Sequence, residues 1–351
     1  MRKYLIIYII IISILLGQRP DKNEIITERH SNGLKKLVLI FEGEGLNEIL
    51  IGKYGFYENG LKRFVELYNN NLKNGKSIYW YENGQKKEEG TLKDGKHHGL
   101  ITGWYENGQK KVEGNFKDGE KDGKRTEWYE NGKKDREEHY KDGIPGGLWT
   151  KWYENGQKKG EGNLKGEKKD GKWTEWYENG KKDREEHYKD GIPDGLWTKW
   201  DENGKKDREE HYKDGEKDGK LTEWYENGKK DREEHYKDGI PDGLWTKWYE
   251  NGQKKLEGTY KDGEIDGLWT KWDENGKKHS ESNWKDGKLD GLNTKWYENG
   301  QKSEEQHYKD YKLEGLSTDW YENGQKWVEG TYKDGKLISK KEWNEDGSLK
   351  E

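Results

Sequence analysis

Residues 248–254 read Trp-Tyr-Glu-Asn-Gly-Gln-Lys, and versions of this stretch return along nearly the whole chain. The Asn of its Asn-Gly pair stands at 59, 83, 107, 131, 155, 179, 203, 227, 251, 275, 299 and 323, each step being 24 residues. A spacing held through twelve copies without a slip is a tandem repeat. In eleven of the copies a Trp precedes the Asn by three residues, from Trp80 to Trp320.

One unit runs from Gly243 to Asp266. Leu244-Trp245-Thr246-Lys247-Trp248-Tyr249 is short and rich in aromatic and β-branched residues, which favours a strand. Asn251-Gly252 follows as the preferred pair for a two-residue type I′ turn, where both positions need positive φ. A second strand, Gln253 to Tyr260, runs back, and Lys261-Asp262-Gly263 with Asp266-Gly267 makes a looser turn into the next unit. Counting outward from Asn251-Gly252 sets the register. Glu250 then faces Gln253, Trp248 faces Lys255, Thr246 faces Glu257 and Trp245 faces Gly258, whose missing side chain leaves room for an indole. The same register sets Trp149 against Gly162 and Arg125 against Glu138, a cross-strand ion pair. The fold class is all-β, an elongated single-layer array of antiparallel β-hairpin repeats of 24 residues. At about 10 Å of sheet per hairpin, twelve repeats make a twisted ribbon on the order of 100 Å long.

Composition excludes both a closed globular core and disorder. Hydrophobic residues make up 27% of the 351 and charged residues 40%, too polar for a closed two-layer core. Such polarity suits disorder, but 19 Trp and 23 Tyr at fixed repeat positions do not. Lys plus Arg (67) and Asp plus Glu (72) are interleaved, which leaves no basic footprint for nucleic acid. Cysteine is absent, so there is neither a disulfide framework nor a thiolate metal site.

The N-terminus is organised differently. Residues 1–17 carry Arg2 and Lys3 and then an apolar run from Tyr4 to Leu16, a pattern that fits an export signal or an uncleaved N-terminal anchor. Any membrane contact rests on this segment alone. With Gln18 after Gly17, the Cys that a lipoprotein signal requires is missing. Residues 18–28 read as a linker, 29–50 as a capping hairpin and 51–351 as the repeat array. The block Glu127–Tyr140 recurs from Glu175 and from Glu223, a duplication at 48 residues that adds length and surface.

Gly-Leu-Trp-Thr-Lys-Trp-Tyr-Glu-Asn-Gly-Gln-Lys-Lys-x-Glu-Gly-x-Tyr-Lys-Asp-Gly, as at 243–263, resembles the bacterial variant of the MORN repeat, carried by proteins of the YwqK-type antitoxin family. The resemblance implies antiparallel hairpin repeats, an interaction or scaffold role, no catalytic residues and no cofactor. Copies reading Asp-Arg-Glu-Glu-His-Tyr depart from it, placing Glu138, Glu186, Glu210 and Glu234 where the pattern has Gly.

Three constellations invite chemistry. His139, His187, His211, His235 and His307 share one repeat position beside glutamates, but copies about 10 Å apart cannot share one metal ion. The Asp-Gly clusters lack the closing Glu of a calcium loop, and turn chemistry explains them. Carboxylate pairs abound, yet a thin sheet supplies no cleft to raise one pKa for glycosidase work. The aromatic row Trp149, Trp173, Trp197, Trp245 and Trp269 is the candidate binding site. Its indoles either stack on neighbours in place of a core or present rings to a sugar or protein strip.

The sequence therefore reads as a non-enzymatic repeat scaffold, exported to the cell envelope or beyond, that binds a protein partner. Recognition of a cell-wall or other glycan through the Trp row is the alternative, and antitoxin-like binding of a toxic protein a further one.

Overall fold

The computed structural model describes residues 24–43 and 48–351. The chain divides into two compact units, Met1–Lys168 and Lys169–Glu351. Segments 1–17 and 18–23, read above as a signal and most of a linker, lie outside the described residues. Within each unit, strands follow one another in chain order as antiparallel neighbours. Strands of 6 to 9 residues, with a few two-residue pieces such as Ile240–Pro241, alternate with tight turns, and the described residues contain no helix. The fold is an all-β antiparallel array of 24-residue units, as the spacing of Asn-Gly requires.

Two corrections concern the turns. The type I′ turn belongs to Asp-Gly, not Asn-Gly. Asp262 (φ 50°) and Gly263 (φ 86°) form a two-residue loop between the paired Lys261 and Glu264. At Asn251-Gly252 only the glycine has positive φ (92°). The Gly252 N–H donates to Tyr249 O (2.8 Å) and the Tyr249 N–H to Gln253 O (2.9 Å), a three-residue loop closed by a glycine bulge. The expected register holds away from this turn, with Thr246 opposite Glu257 and Trp245 opposite Gly258. It slips by one at a bulge, so Trp248 faces Lys254 rather than Lys255.

The reason lies in the Asn side chain. Asn251 Oδ1 accepts from the Gln253 N–H (2.8 Å), while its Nδ2 donates to Glu274 O of the next repeat (2.7 Å). A type I′ conformation is not needed when the side chain itself fastens the turn. The same pair of bonds recurs at Asn59, Asn83, Asn107, Asn131, Asn179, Asn227, Asn299 and Asn323. The Tyr two positions ahead adds a third bond: Tyr249 Oη donates to Trp272 O (3.0 Å), and Tyr225 to Trp248 O (2.8 Å).

A third correction is at the N-terminus. Glu24–Arg29, whose residues up to Glu28 fall in the expected linker 18–28, is a strand paired with Lys35–Glu42, so the first hairpin begins before residue 29. It contributes Val38, Ile40 and Ile26 to the hydrophobic cluster of the first unit, which Tyr54 and Val65 complete and Ile51, Phe56 and Trp80 pack against. No comparable aliphatic cluster recurs among the described repeats, where buried positions are a row of threonines and a row of aromatic and acidic side chains.

On the threonine face, charge and ring alternate between repeats. Lys254 Nζ lies 5.7 Å from the Trp272 ring and 2.5 Å from Glu257 Oε2, which also meets Thr246 Oγ1 (3.3 Å). Lys230, with Trp248 and Glu233, repeats the arrangement one unit earlier. Each cation–π contact at such an exposed site is worth about 0.5–1 kcal/mol, so the array is held by many small equal terms.

Candidate functional site

The Trp row occupies the opposite face, and its burial follows one sequence position. Eleven residues before Trp173 and Trp269 stand Gly162 and Gly258; before Trp149, Trp197 and Trp245 stand Glu138, Glu186 and Glu234. Trp173 and Trp269 are buried (7% and 8% exposed), whereas Trp149, Trp197 and Trp245 are half-buried. The physical cause is visible at Gly258. A Cβ added there would fall 2.1 Å from Trp269 Cδ2, so the indole lies directly on the glycine backbone. The covering ring comes from the following repeat, not from the cross-strand partner Trp245 that the register suggested.

Where Glu replaces Gly, the carboxylate takes that space. Glu234, 6% exposed, accepts from Trp245 Nε1 (2.7 Å) and Tyr236 Oη (2.7 Å) and meets Arg232 Nη1 at 3.2 Å. Glu138 accepts from Tyr140 Oη (2.8 Å) and lies 3.3 Å from Arg136 Nε and 3.4 Å from Arg125 Nη1, the ion pair expected from the register. Glu210 pairs with Arg208 Nη2 at 2.7 Å. These buried charges are each paired and hydrogen-bonded, as buried carboxylates must be. Burial and the bond to Glu234 push the Tyr236 hydroxyl up to about 12, and Tyr140 up to about 12 beside Glu138.

The indole edges are likewise committed. Trp197 Nε1 donates to His187 O (3.0 Å), and its ring sits between Tyr188 and Tyr212 with centroids 5.3 and 4.8 Å away. Trp269 Nε1 donates to Thr259 O (3.1 Å), and the Trp245 and Trp269 rings lie 5.5 Å apart. The row thus stacks on itself in place of a core. Beside Trp197 a hollow of 240 Å³ remains, lined by Arg184, Glu186, Thr198, Lys199, Arg208 and Glu210.

The histidines are fixed one by one. Nδ1 of His187, His235, His139, His211 and His307 lies 2.7, 2.8, 3.0, 3.1 and 3.1 Å from the carbonyls of Leu196, Leu244, Leu148, Lys220 and Leu316. A carbonyl only accepts, so Nδ1 carries the proton and each ring serves its own neighbouring strand. Among the described residues no three His, Asp or Glu side chains are grouped so as to hold a metal ion.

The match to known sequences decides the family. Residues 73–94, 98–118, 121–142, 145–165, 169–190, 193–214, 217–238, 241–262, 265–286, 289–310 and 313–334 match the MORN repeat variant. The chain belongs to the MORN repeat variant family. MORN-variant membership makes it a non-enzymatic, repeat-built scaffold for protein–protein interaction. No curated protein matches it. Solved structures that it resembles include the crystal structure of TcdB2-TccC3, with 11% identity, 93% of this chain and 20% of that chain covered, and a TM-score of 0.18. A second is the Photorhabdus luminescens Tc holotoxin pore, with 10% identity, 90% and 20% coverage, and a TM-score of 0.17. This chain spans 20% of the length of those chains, and at such scores nothing about fold or partner follows from the likeness.

Proposed function

We propose that this MORN-variant array is exported and holds a protein partner at the cell envelope or outside the cell. One observation carries the protein reading: the five indoles of the Trp row are buried or half-buried against their neighbours, while a column of leucines is open. Leu244, Leu268, Leu292 and Leu316 occupy one repeat position and are 36% to 49% exposed. They form a column beside Thr259, Asn283, His307 and Thr331 in the paired strands. Open aliphatic side chains among lysines and glutamates suit a protein surface better than a sugar, which stacks on an open aromatic face. Export rests on Arg2, Lys3 and the apolar run Tyr4–Leu16.

The test is a pull-down with the mature array against the envelope of its own cell, before and after protease treatment. A protein partner disappears with protease and weakens with salt, given the charged rows. Binding that survives protease overturns this reading and favours a glycan at half-exposed indoles such as Trp197, beside the hollow of Arg184 and Arg208. A captured protein that proves toxic without this chain would make the role antitoxin-like. Export is checked by fractionation: the full chain leaves the cytoplasm, and a chain lacking 1–17 stays inside.

A further inference from the structure

The first unit contains a hollow of 280 Å³ whose floor is Ser77 and Gly90 and whose walls include Tyr79, Leu92 and His97. The repeat itself tells what fills such a space. Around Gly258, the equivalent of Gly90, two indoles fill the space: Trp269 from the following strand lies on the glycine, and Trp245 from the cross-strand position packs against Trp269 with ring centroids 5.5 Å apart. Around Gly90 the cross-strand position is Ser77, and the following strand supplies Ile101, whose Cδ1 would lie 2.9 Å from an added Cβ. The glycine floor is kept and both indoles are gone.

The chemistry of the walls narrows the occupant. His97 packs its ring 5.6 Å from Phe116, and its buried Nδ1 has no hydrogen-bond partner. Lys73 is neutralised by the buried Glu66 at 2.6 Å. Lys87 Nζ lies 5.5 Å from the Tyr81 ring. The side chain of Glu88, which also lines the hollow, takes part in no ion pair or hydrogen bond among the described residues, which leaves one open carboxylate beside an aromatic-sized space. Over Gly258 the indole N–H of Trp269 finds a backbone acceptor, Thr259 O at 3.1 Å. One repeat earlier that of Trp245 finds a carboxylate at 2.7 Å, Glu234 at the repeat position of Gly90. A ring seated in this space thus donates its N–H to an acceptor of the array.

We propose that the hollow over Ser77 and Gly90 binds an indole or phenol side chain of a protein partner, whose ring N–H or O–H is donated to Glu88. This rests on the protein-scaffold reading and adds to it the kind of residue the partner presents. A Trp or Tyr buried in a pocket is the usual anchor of such an interface.

The probe is N-acetyl-tryptophanamide, followed by saturation-transfer NMR on the full chain. Its ring protons are expected to show binding that N-acetyl-alaninamide does not. Ser77→Trp, which supplies the ring from the chain itself, is expected to weaken binding at least tenfold. Glu88→Gln should weaken the tryptophan probe several-fold and leave N-acetyl-phenylalaninamide, which has no ring donor, unchanged. If Ser77→Trp does not fold, Leu92→Trp fills the same space from the wall. No binding to the unmodified chain, or equal binding to a folded filled variant, overturns the site. Neither result touches the protein-partner reading, which the protease pull-down decides separately.

Discussion

Two neighbouring repeats seat the same indole differently, and the residue beneath it makes the difference. At Gly258 the next indole, Trp269, lies flat on the backbone and is buried. At Glu234 the next indole, Trp245, is held off by a carboxylate and stays half-buried. The repeat therefore has two ways to fill the same volume, one by ring on glycine and one by a paired carboxylate under a ring. The second puts charge in the interior and needs a companion: Arg136, Arg184, Arg208 and Arg232 stand two residues ahead of Glu138, Glu186, Glu210 and Glu234. Duplication of that Arg-x-Glu stretch carried the companion along with the charge.

The sharpest way to break the contrast is Gly258→Glu. Leu256 stands where the acidic repeats have Arg, so the new carboxylate is buried without its partner beneath Trp269. A loss of about 3 kcal/mol is expected in urea unfolding, partly restored by adding Leu256→Arg. Next comes Glu234→Ala, which strands Tyr236 Oη and Trp245 Nε1 and leaves Arg232 with Glu223 alone; about 2 kcal/mol should be lost by the same measurement. Smaller effects separate two classes of turn. Asn251→Ala removes a bond within the turn and one to the next repeat and should cost about 1 kcal/mol. Asn203→Ala should cost only a few tenths. At its turn Asp201 Oδ1 accepts from the Lys205 N–H, and Lys205 Nζ donates to the carbonyl of Glu226.

The smallest effect is a pH dependence on the threonine face. Partial burial opposes ionisation of Glu233, but hydrogen bonds from Lys220 and Lys230 outweigh it and hold its carboxyl below the usual range. A carboxyl with a lowered folded pKa contributes stability above its unfolded value and loses it as pH falls through the folded one. Glu233→Gln should therefore flatten the acid limb of the stability curve below about pH 4.5 and leave its slope near pH 7 unchanged.

Much of this fold is legible in the sequence because a fixed period of 24 residues leaves few places for strands and turns to go. Register could be counted as far as Thr246 and Glu257 because it depends only on loop length plus one bulge. The turn types were not legible. Asn-Gly and Asp-Gly have similar backbone preferences, and the choice between them is made by the Asn251 amide reaching Glu274, a contact between repeats. The strand Glu24–Arg29 was hidden for a related reason: its charged ends read as a linker, and only the pairing with Lys35–Glu42 brings Ile26 onto the hydrophobic cluster. At the Trp row, sequence marks both the indoles and the Gly-to-Glu departures. Only the structure connects them, through a residue eleven positions upstream in the adjacent strand.

The most direct test is hydroxyl-radical footprinting of Trp269 in the Gly258→Glu chain, compared with the unmodified one. Trypsin cuts after Lys261 and Lys271 and releases Trp269 in a peptide that occurs once in the sequence. The expected result is a several-fold rise in Trp269 oxidation, with the β-sheet signal retained and Trp173 unchanged. A folded variant in which Trp269 stays as protected as before would contradict the claim that the residue beneath sets the height of the indole.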